Sequence, residues 1–378
     1  MNKIIHLEDI KNIRKLEQQV YNETQIPTYD ISHWNAGTQY KELLLSNFEI
    51  DCNLDFSNYH YSYEYEEKVQ QAVACKLLNI PDCQYNCVFI HSATAAICCI
   101  SDYLNKHGYK KVCVIDPSYF SIYSCLLSFG LNVQKESLIL DGDGHCVLPY
   151  QTILQKGYDA VWITSPIFST GIYYEESQVL LMEKLVQNNI LLIIDESAAA
   201  PHQTLTDRLP TSNNIIAFFS PHKYLSINSI KFAAILCSGS VKEYLEDWID
   251  VFIGSLPISA CAAIQHYLSP NFSMCASLHN KHIMKNKQLV DELCCSFPNN
   301  YYRGIGSTYI TIQNSRLPYQ DCLDSYFMYN MMQHTHTSFI PGYINGFSQT
   351  WGLCYRINLT HDYNMIKSHL GRLFNHFL

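Results

Sequence analysis

The most hydrophobic stretch of the chain reads Ile190-Leu191-Leu192-Ile193-Ile194, and the polar run Asp195-Glu196-Ser197 follows it directly. Aliphatic residues in succession, without alternation, are typical of a strand that helices cover on both faces. A carboxylate at the end of such a strand is costly to bury unless a cation meets it. The stretch therefore predicts a buried strand of a parallel sheet with a charged group at its carboxyl end.

Similar apolar runs recur between residues 87 and 237, separated by segments of helical length. This alternation predicts an α/β fold with a mostly parallel, mixed sheet. We expect a large domain over residues 44–270 and a smaller α+β domain made of residues 1–43 and 271–378, with a long polar helix at residues 271–296. The apolar runs lie at residues 88–90, 111–115, 160–163, 190–194, 215–219 and 232–236.

The composition excludes several classes of function. Of 378 residues, 48% are hydrophobic and 16% are charged, which allows a large buried core and argues against disorder as the dominant state. The 34 acidic residues outnumber the 25 basic ones, so binding to a nucleic-acid backbone is not expected. Early charges at the N-terminus argue against a signal peptide, and no apolar run reaches the roughly 18 residues of a membrane span. We therefore expect a cytoplasmic protein without membrane or nucleic-acid partners.

The 16 cysteines lie mostly inside apolar runs and form no Cys-x-x-Cys pair. This distribution favours cysteine as a small core residue in a reducing compartment. A zinc site at Cys83, Cys87 and His91 is the alternative, but this spacing lacks a second pair of ligands. We therefore predict no metal site.

Polar residues follow nearly every predicted strand, at the edge where parallel α/β sheets bind ligands. A strand-end lysine such as Lys223 is by itself usually a solvated surface group. Together with the buried Asp195, however, it supplies the two polar groups that a pyridoxal phosphate site requires: an amine that forms a Schiff base and a carboxylate that holds a pyridinium nitrogen. The strand ends read His91-Ser92-Ala93-Thr94, Asp116-Pro117-Ser118-Tyr119, Ser165-Pro166, Asp195-Glu196-Ser197 and Ser220-Pro221-His222-Lys223.

In the order of these motifs, residues 55–360 resemble the class I/II aminotransferase-like family of fold-type I pyridoxal-phosphate-dependent enzymes. The resemblance implies that Lys223 is the catalytic Schiff-base lysine and that Asp195 pairs with the nitrogen of the cofactor ring. It also implies that Tyr119 stacks on the ring, for which ordinary core packing is the alternative explanation.

The resemblance further implies a phosphate site. The turn Ser92-Ala93-Thr94 opens a helix, whose free N–H groups and positive dipole end suit a dianion. Ser220 matches the usual phosphate-contacting serine, and Lys231 stands where the family normally has an arginine, which keeps the charge but loses the planar fork. Tyr61 lies near the position of a tyrosine that the family's partner subunit sends toward the phosphate.

Four residues are implied to contact the substrate. Arg356 matches the late arginine that grips the α-carboxylate through its planar fork, with a salt bridge at the rim as the alternative. Trp34 and Asn35 lie in the segment that covers the substrate in the family, although they are also explained as a turn and its packing anchor. Phe168 replaces the asparagine that hydrogen-bonds the cofactor's ring oxygen in the family's Asn-Pro-Thr-Gly segment.

The partners of that ring oxygen depart from the family pattern. Besides Phe168, Ala198 stands where many relatives have a tyrosine that serves the same oxygen. His202 or Ser169 could substitute, and spacing alone does not choose between them. The departure leaves open which reaction the site performs.

The leading hypothesis is a homodimeric aminotransferase that acts at Cα of an amino acid and passes the amino group to a 2-oxo acid. A specialised amino-acid cyclase, eliminase or decarboxylase is the second hypothesis, since the altered ring-oxygen contacts permit it. The third is a non-catalytic binding protein that keeps the fold. Charged groups at buried strand ends argue against the third, because a scaffold has no need of them.

Overall fold

The computed structural model describes residues 5–48, 57–140, 145–304 and 307–378. Its helices alternate with strands through most of the chain, and they vary from one turn to more than seven. They are Ile5–Thr24 (α1), Thr38–Leu45 (α2), Glu67–Leu78 (α3), Ala93–Lys106 (α4), Phe120–Ser128 (α5), Tyr150–Lys156 (α6), Glu176–Gln187 (α7), Pro221–Tyr224 (α8), Gly239–Phe252 (α9), Ile258–Leu268 (α10), Pro270–Ser296 (α11), Ser325–Thr335 (α12) and Tyr363–His376 (α13).

The strands coincide with the apolar runs of the sequence and add several short polar ones. They are Tyr29–Asp30 (β1), Asn86–Ile90 (β2), Lys111–Asp116 (β3), Asn132–Ser137 (β4), Ile139–Leu140 (β5), Cys146–Val147 (β6), Ala160–Thr164 (β7), Leu191–Glu196 (β8), Ile215–Phe219 (β9), Ala233–Cys237 (β10), Asn300–Tyr301 (β11), Tyr309–Asn314 (β12), Thr337–Ser338 (β13) and Leu353–Asn358 (β14).

The chain divides into two compact units. The large unit comprises Asn47–Ile167 and Tyr173–Ala276, and the small unit comprises Met1–Ser46, Phe168–Ile172 and Ser277–Leu378. This division places the boundaries a few residues beyond those expected from the sequence, and it assigns the short segment after β7 to the small unit.

A seven-stranded sheet of order β2-β10-β9-β8-β7-β3-β4 forms the centre of the large unit. All its neighbouring strands are parallel except for β10, which runs antiparallel to both β2 and β9. The central strands are buried along their whole length, as their unbroken aliphatic sequences require. The predicted α/β class with a mostly parallel, mixed sheet is thus confirmed.

The edge strand β4 was not among the predicted strands. Its sequence Asn132-Val133-Gln134-Lys135-Glu136-Ser137 contains one aliphatic residue, and only Val133 is buried. An edge strand pairs on one side only and tolerates charged side chains, so it carries little of the apolar pattern that reveals a central strand.

The small unit contains a three-stranded antiparallel sheet of order β11-β12-β14 and a separate parallel pair of β1 and β13. Its own hydrophobic core includes Ile310, Phe339, Tyr355, Leu370 and Phe374, all essentially inaccessible to solvent. The predicted long helix is confirmed as α11, which spans Pro270–Ser296.

In the described part of the chain, no helix combines the length and apolar character that crossing a membrane requires. The described cysteines are all free thiols, and most of them are buried. Likewise, no group of three or more His, Cys, Asp or Glu side chains among the described residues is arranged to hold a metal ion.

Candidate functional site

A hydrogen-bonded chain in the large unit links Lys223 to Asp195 through Ser197. The Ser197 hydroxyl donates to Asp195 Oδ1 at 2.5 Å, and the Ser197 backbone N–H donates to the same oxygen at 3.0 Å. Lys223 Nζ in turn donates to Ser197 Oγ at 3.3 Å. Asp195 lies at the end of β8, and Lys223 lies just after the neighbouring parallel strand β9. The ends of these two strands therefore bring together two residues that are far apart in the sequence.

Asp195 is only 3% exposed, which makes its charge expensive. Burial raises the pKa of Asp195, whereas the charge of Lys223 and the two hydrogen bonds from Ser197 act in the opposite direction. A further cation at this carboxylate would favour its ionised form and would itself be stabilised. The site therefore suits a heterocyclic nitrogen that carries a proton.

Tyr119 borders the amine of Lys223. Lys223 Nζ lies 5.5 Å from the centroid of the Tyr119 ring, and the residue directly precedes α5. Part of the ring also packs against the core of the large unit. Core packing and the stacking role implied by the resemblance are thus compatible. Packing against the core fixes the plane of the Tyr119 ring, and a cofactor ring could stack on the face that is not packed.

The turn before α4 has the features of an anion site. Ser92 caps the helix by accepting a hydrogen bond from Ala95 N at 3.2 Å, which fixes the start of the helix at Ala93. The N–H groups in the first turn of a helix, here those of Ala93 and Thr94, have no intrahelical acceptor. These N–H groups and the positive end of the helix dipole lie at the end of the sheet where β2 and β9 both end.

Two further predicted phosphate contacts lie beside this turn. Strand β10 pairs with β2 so that Ala233 is opposite Ile90, and extending this register places Lys231 level with Ser92. The Ser220 hydroxyl donates to the Phe232 carbonyl at 3.1 Å, next to Lys231 in the chain. The hydrogen-bonded sheet thus gathers residues from three separate parts of the sequence.

Electrostatics agree with this placement of Lys231. Burial and the charge of Lys231 both lower the pKa of His91, the residue that precedes the capping serine. Burial also lowers the pKa of Lys231 itself, which is half-buried. A half-buried cation of this kind would be stabilised by an anion at the turn.

Tyr61 is not brought to these groups by any contact among the described residues. Its ring lies between those of Tyr59 and Tyr63, with centroids 5.8 and 5.3 Å away. The role implied for Tyr61 involves a second subunit and stays a prediction.

In the small unit, Arg356 on β14 is 2% exposed and lies against the ring of Trp34, with 3.6 Å between the guanidinium carbon and the ring centroid. Its Nε and Nη2 atoms donate to the Ser32 carbonyl at 3.1 and 2.5 Å. The ring of Tyr309 on β12 lies 5.3 Å from the same carbon. The guanidinium is therefore held in one plane, and the alternative of a salt bridge at the rim does not fit its burial.

The other two predicted substrate contacts differ in their surroundings. Phe168 is buried in the small unit, with its ring 6.3 Å from that of Trp34. Asn35 is exposed, and its backbone carbonyl accepts a hydrogen bond from Asn358 Nδ2 at 3.3 Å. Phe168 thus lies beside the Trp34 ring on which Arg356 stacks, whereas Asn35 has a structural role through its backbone.

The two candidates to replace the missing ring-oxygen partners are also distinguishable. His202 is exposed on a turn with a positive φ of 66°. The Ser169 hydroxyl is buried and has no hydrogen-bond partner among the described residues. A buried hydroxyl without a partner is costly, and a ligand oxygen would relieve that cost.

Sequence reasoning missed three residues of these clusters. Ser197 is the hydroxyl between Asp195 and Lys223, and a serine two residues after a strand-end aspartate is a recognisable turn signal. Tyr309 and the Ser32 carbonyl, which contact Arg356, left no comparable signal, since one lies within an ordinary strand pattern and the other is a backbone group.

No protein-family model and no curated protein sequence matches the chain. Solved structures, in contrast, match its fold over almost the entire length. Aspartate aminotransferase from Thermotoga maritima shares 14% identity at a TM-score of 0.77, covering 100% of this chain and 99% of that chain. YbdL from Escherichia coli, whose structure and reactivity identified a methionine aminotransferase function, shares 14% identity at a TM-score of 0.75, covering 97% and 96%. Cystalysin from Treponema denticola, which contains a pyridoxal 5'-phosphate cofactor, shares 16% identity at a TM-score of 0.69, covering 95% and 94%.

Proposed function

We propose that this chain, which has the fold of the class I/II aminotransferase-like enzymes of fold type I, binds pyridoxal 5'-phosphate and acts at Cα of an amino acid. The observation that carries the proposal is the chain of hydrogen bonds from Lys223 through Ser197 to the buried Asp195. A buried carboxylate and a reactive amine beside an aromatic ring fit the nitrogen, the aldehyde carbon and the face of this cofactor. The structural neighbours include enzymes that contain it.

When bound, pyridoxal phosphate supplies an electron sink for negative charge that develops at the substrate Cα. Asp195 holds a proton at the ring nitrogen, because a carboxylate in a buried site raises the pKa of that nitrogen. Ser197 keeps the carboxylate in place through its two hydrogen bonds. The Lys223 amine would hold the cofactor aldehyde, and it would move a proton at the substrate Cα as a general base and acid.

The phosphate is proposed to bind at the turn Ser92-Ala93-Thr94, with Ser220 and Lys231. The helix start offers N–H donors and Lys231 a positive charge, although Lys231 cannot make the paired hydrogen bonds of an arginine. Tyr61 of a second subunit completes the phosphate site in this proposal, which makes the protein a homodimer. A cytoplasmic location is part of the same proposal.

Arg356 is proposed to bind the α-carboxylate of the substrate. Stacking on Trp34 fixes the plane of the guanidinium, and a carboxylate needs that plane for two parallel hydrogen bonds. Trp34 and Phe168 are proposed to border the substrate, whereas Asn35 supports the segment through its backbone carbonyl.

The leading reaction is transamination from an amino acid to a 2-oxo acid. An eliminase is the second candidate, because Phe168 and Ala198 replace the polar ring-oxygen partners of typical aminotransferases, and structural neighbours also include a C-S lyase. A cyclase or decarboxylase stays within the same alternative. A non-catalytic binding protein is disfavoured by the buried charges at Asp195 and Arg356 and the half-buried charge at Lys223.

The cofactor assignment is tested by adding pyridoxal phosphate, reducing the protein with borohydride and locating the modified lysine by peptide mass. We expect modification of Lys223 in the natural protein and in a Lys184→Ala control, which alters an exposed lysine. The Lys223→Ala variant should lack the modification and the visible absorbance of the lysine-linked cofactor. Modification spread over surface lysines, with none at Lys223, would contradict the proposal.

The reaction class is tested by incubating the loaded protein with a panel of amino acids, with and without a 2-oxo acid. Transamination requires the acceptor for sustained turnover. Sustained release of ammonia, a thiol or carbon dioxide without an acceptor would instead support the alternative reactions.

A further inference from the structure

Two cysteines on adjacent helices of the large unit lie within reach of each other. Cys98 on α4 and Cys125 on α5 have their sulfur atoms 3.6 Å apart. The two residues are 27 positions apart in the sequence, so the contact is a product of the fold. Both side chains are partly buried against the core of the large unit and partly open to solvent.

The environment of this pair differs from that of neighbouring cysteines. The hydrogen bond between the Cys98 and Cys125 sulfur atoms lowers the pKa of Cys98, although burial opposes the effect. Cys99, the next residue along α4, is completely buried, and its pKa is raised well above that of an ordinary thiol. Thiolate character and access to solvent decide which cysteine reacts, so Cys98 is favoured over Cys99.

The pair also connects two helices that begin at the proposed cofactor site. Cys98 is the sixth residue of α4, which starts at the Ser92 cap, and Cys125 is the sixth residue of α5, which starts after Tyr119. At 1.5 Å per residue, each sulfur-bearing residue is about 8 Å along its helix from the start. A covalent bond between them would fix the spacing of the two helix starts.

We propose that Cys98 and Cys125 are a redox modification site that forms a reversible disulfide between α4 and α5 on exposure to a peroxide. The Cys98 sulfur attacks one oxygen of the peroxide, the O–O bond breaks, and Cys98 becomes a sulfenic acid. The other oxygen leaves as water. The Cys125 sulfur then attacks the Cys98 sulfur, and the sulfenic oxygen leaves as a second water. Two thiols and one hydrogen peroxide thus give one disulfide and two waters. The sulfur atoms approach from 3.6 Å to about 2 Å in the final bond.

The experiment treats the full-length protein with hydrogen peroxide, blocks the remaining thiols, and maps linked peptides by mass spectrometry without reduction. We expect a Cys98–Cys125 linked peptide in the natural protein and in Cys99→Ser, and its loss after treatment with dithiothreitol. The linked peptide should be absent from Cys98→Ser and Cys125→Ser. Thermal denaturation of each reduced variant checks that it folds, so that loss of the link is not a loss of structure.

Several outcomes would overturn the proposal. They are oxidation of other cysteines while Cys98 and Cys125 stay reduced, conversion of Cys98 to a sulfinic acid without a link, and a link that forms only in denatured protein. These outcomes do not involve the cofactor, so they are distinct from a failure of the proposed function.

A second readout connects the site to the cofactor and rests on the proposed function. The crosslink restrains the helices that carry the phosphate turn and Tyr119, so pyridoxal phosphate should dissociate more slowly from the oxidised natural protein than from the reduced protein. The oxidised Cys125→Ser variant should show no such change. Equal dissociation rates in linked and unlinked protein would contradict the coupling between the disulfide and the site.

Discussion

Lys223 in the large unit, in the short helix after β9, and Arg356 in the small unit, on β14, are both cations, but their surroundings differ. Lys223 donates to a hydroxyl that is itself bonded to a buried carboxylate, and the Lys223 charge and the Ser197 hydrogen bonds both lower the pKa of Asp195 against the effect of burial. Arg356 lies against an aromatic ring and a backbone carbonyl, so its neighbours fix the orientation of a group that stays charged. The first arrangement suits proton transfer and the second suits recognition of a planar anion.

The strongest test of this difference is Asp195→Asn. The variant removes the charge that is proposed to hold a proton on the cofactor ring, so turnover should fall roughly 10²–10⁴-fold, the range typical of a lost proton-transfer contribution. Steady-state kinetics with excess pyridoxal phosphate measure the effect.

Glu196→Gln is the matched control, because Glu196 is the adjacent buried carboxylate and bonds instead to Thr206 and the backbone of Leu205. We expect the control to lower the thermal midpoint and to retain most of the turnover. Equal losses of turnover in the two variants would show that Asp195 contributes to activity only as a buried carboxylate that stabilises the fold.

Arg356→Lys tests the orientation argument. A lysine keeps the charge but loses the planar fork and the stacking on Trp34, which should lower kcat/KM by about 10–100-fold, as expected for a lost charged hydrogen bond of about 1.5–3 kcal/mol. The loss should lie mainly in KM, with cofactor binding unchanged.

Arg303→Lys is the control for this variant, because Arg303 also belongs to the small unit and lies over a tyrosine ring, that of Tyr301. Arg303 is exposed, and a stacking contact at an exposed site contributes only about 0.5–1 kcal/mol to stability. We therefore expect the variant to stay folded and its kcat/KM to remain within about twofold of the natural value. A larger effect on kcat than on KM in Arg356→Lys would count against a carboxylate-binding role.

Ser197→Ala tests the link between the amine and the carboxylate. Its hydroxyl bond lowers the pKa of Asp195, so its removal should raise that pKa further. Activity needs the ionised carboxylate and is lost as the pH falls through this pKa, so the acid limb of the pH–rate profile should move to higher pH. At neutral pH we expect a loss of roughly 5–30-fold, from a hydrogen-bond contribution of about 1–2 kcal/mol.

Ser197→Thr retains the hydroxyl and should restore the acid limb, which a purely structural role of the side chain does not predict. An acid limb at the same pH in the natural protein and in Ser197→Ala would separate Ser197 from the titration of Asp195.

Lys231→Arg is expected to have the smallest effect and the opposite sign. An arginine supplies the fork that lysine lacks, so the dissociation constant for pyridoxal phosphate should fall by about 3–10-fold. Fluorescence titration of the protein with cofactor measures this. A weaker complex in the variant would indicate that Lys231 does not face the phosphate.

Much of the fold was predictable because central parallel strands need continuous aliphatic sequence. Leu191–Glu196 and Ile215–Phe219 could be recognised in this way, whereas the polar edge strand Asn132–Ser137 could not. In the candidate site, Lys223 and Asp195 stand at the ends of recognisable strands and were predicted. Tyr309 was not, because its contact with Arg356 depends on the pairing of β12 with β14 rather than on any local pattern.

Residue types along the chain were enough to locate the central strands and the chemical groups that follow them. Burial on both faces and the pairing of strand-end charges each restrict which residues can stand at a given position. Tertiary structure alone decided which of those groups meet. The pairing of β2 with β10 places Ala233 opposite Ile90, the turn after β8 places Ser197 between Asp195 and Lys223, and the packing of α4 on α5 brings Cys98 to Cys125. Such contacts join distant parts of the chain, and their energy comes from hydrogen bonds and packing that form only when the sheet and its helices assemble.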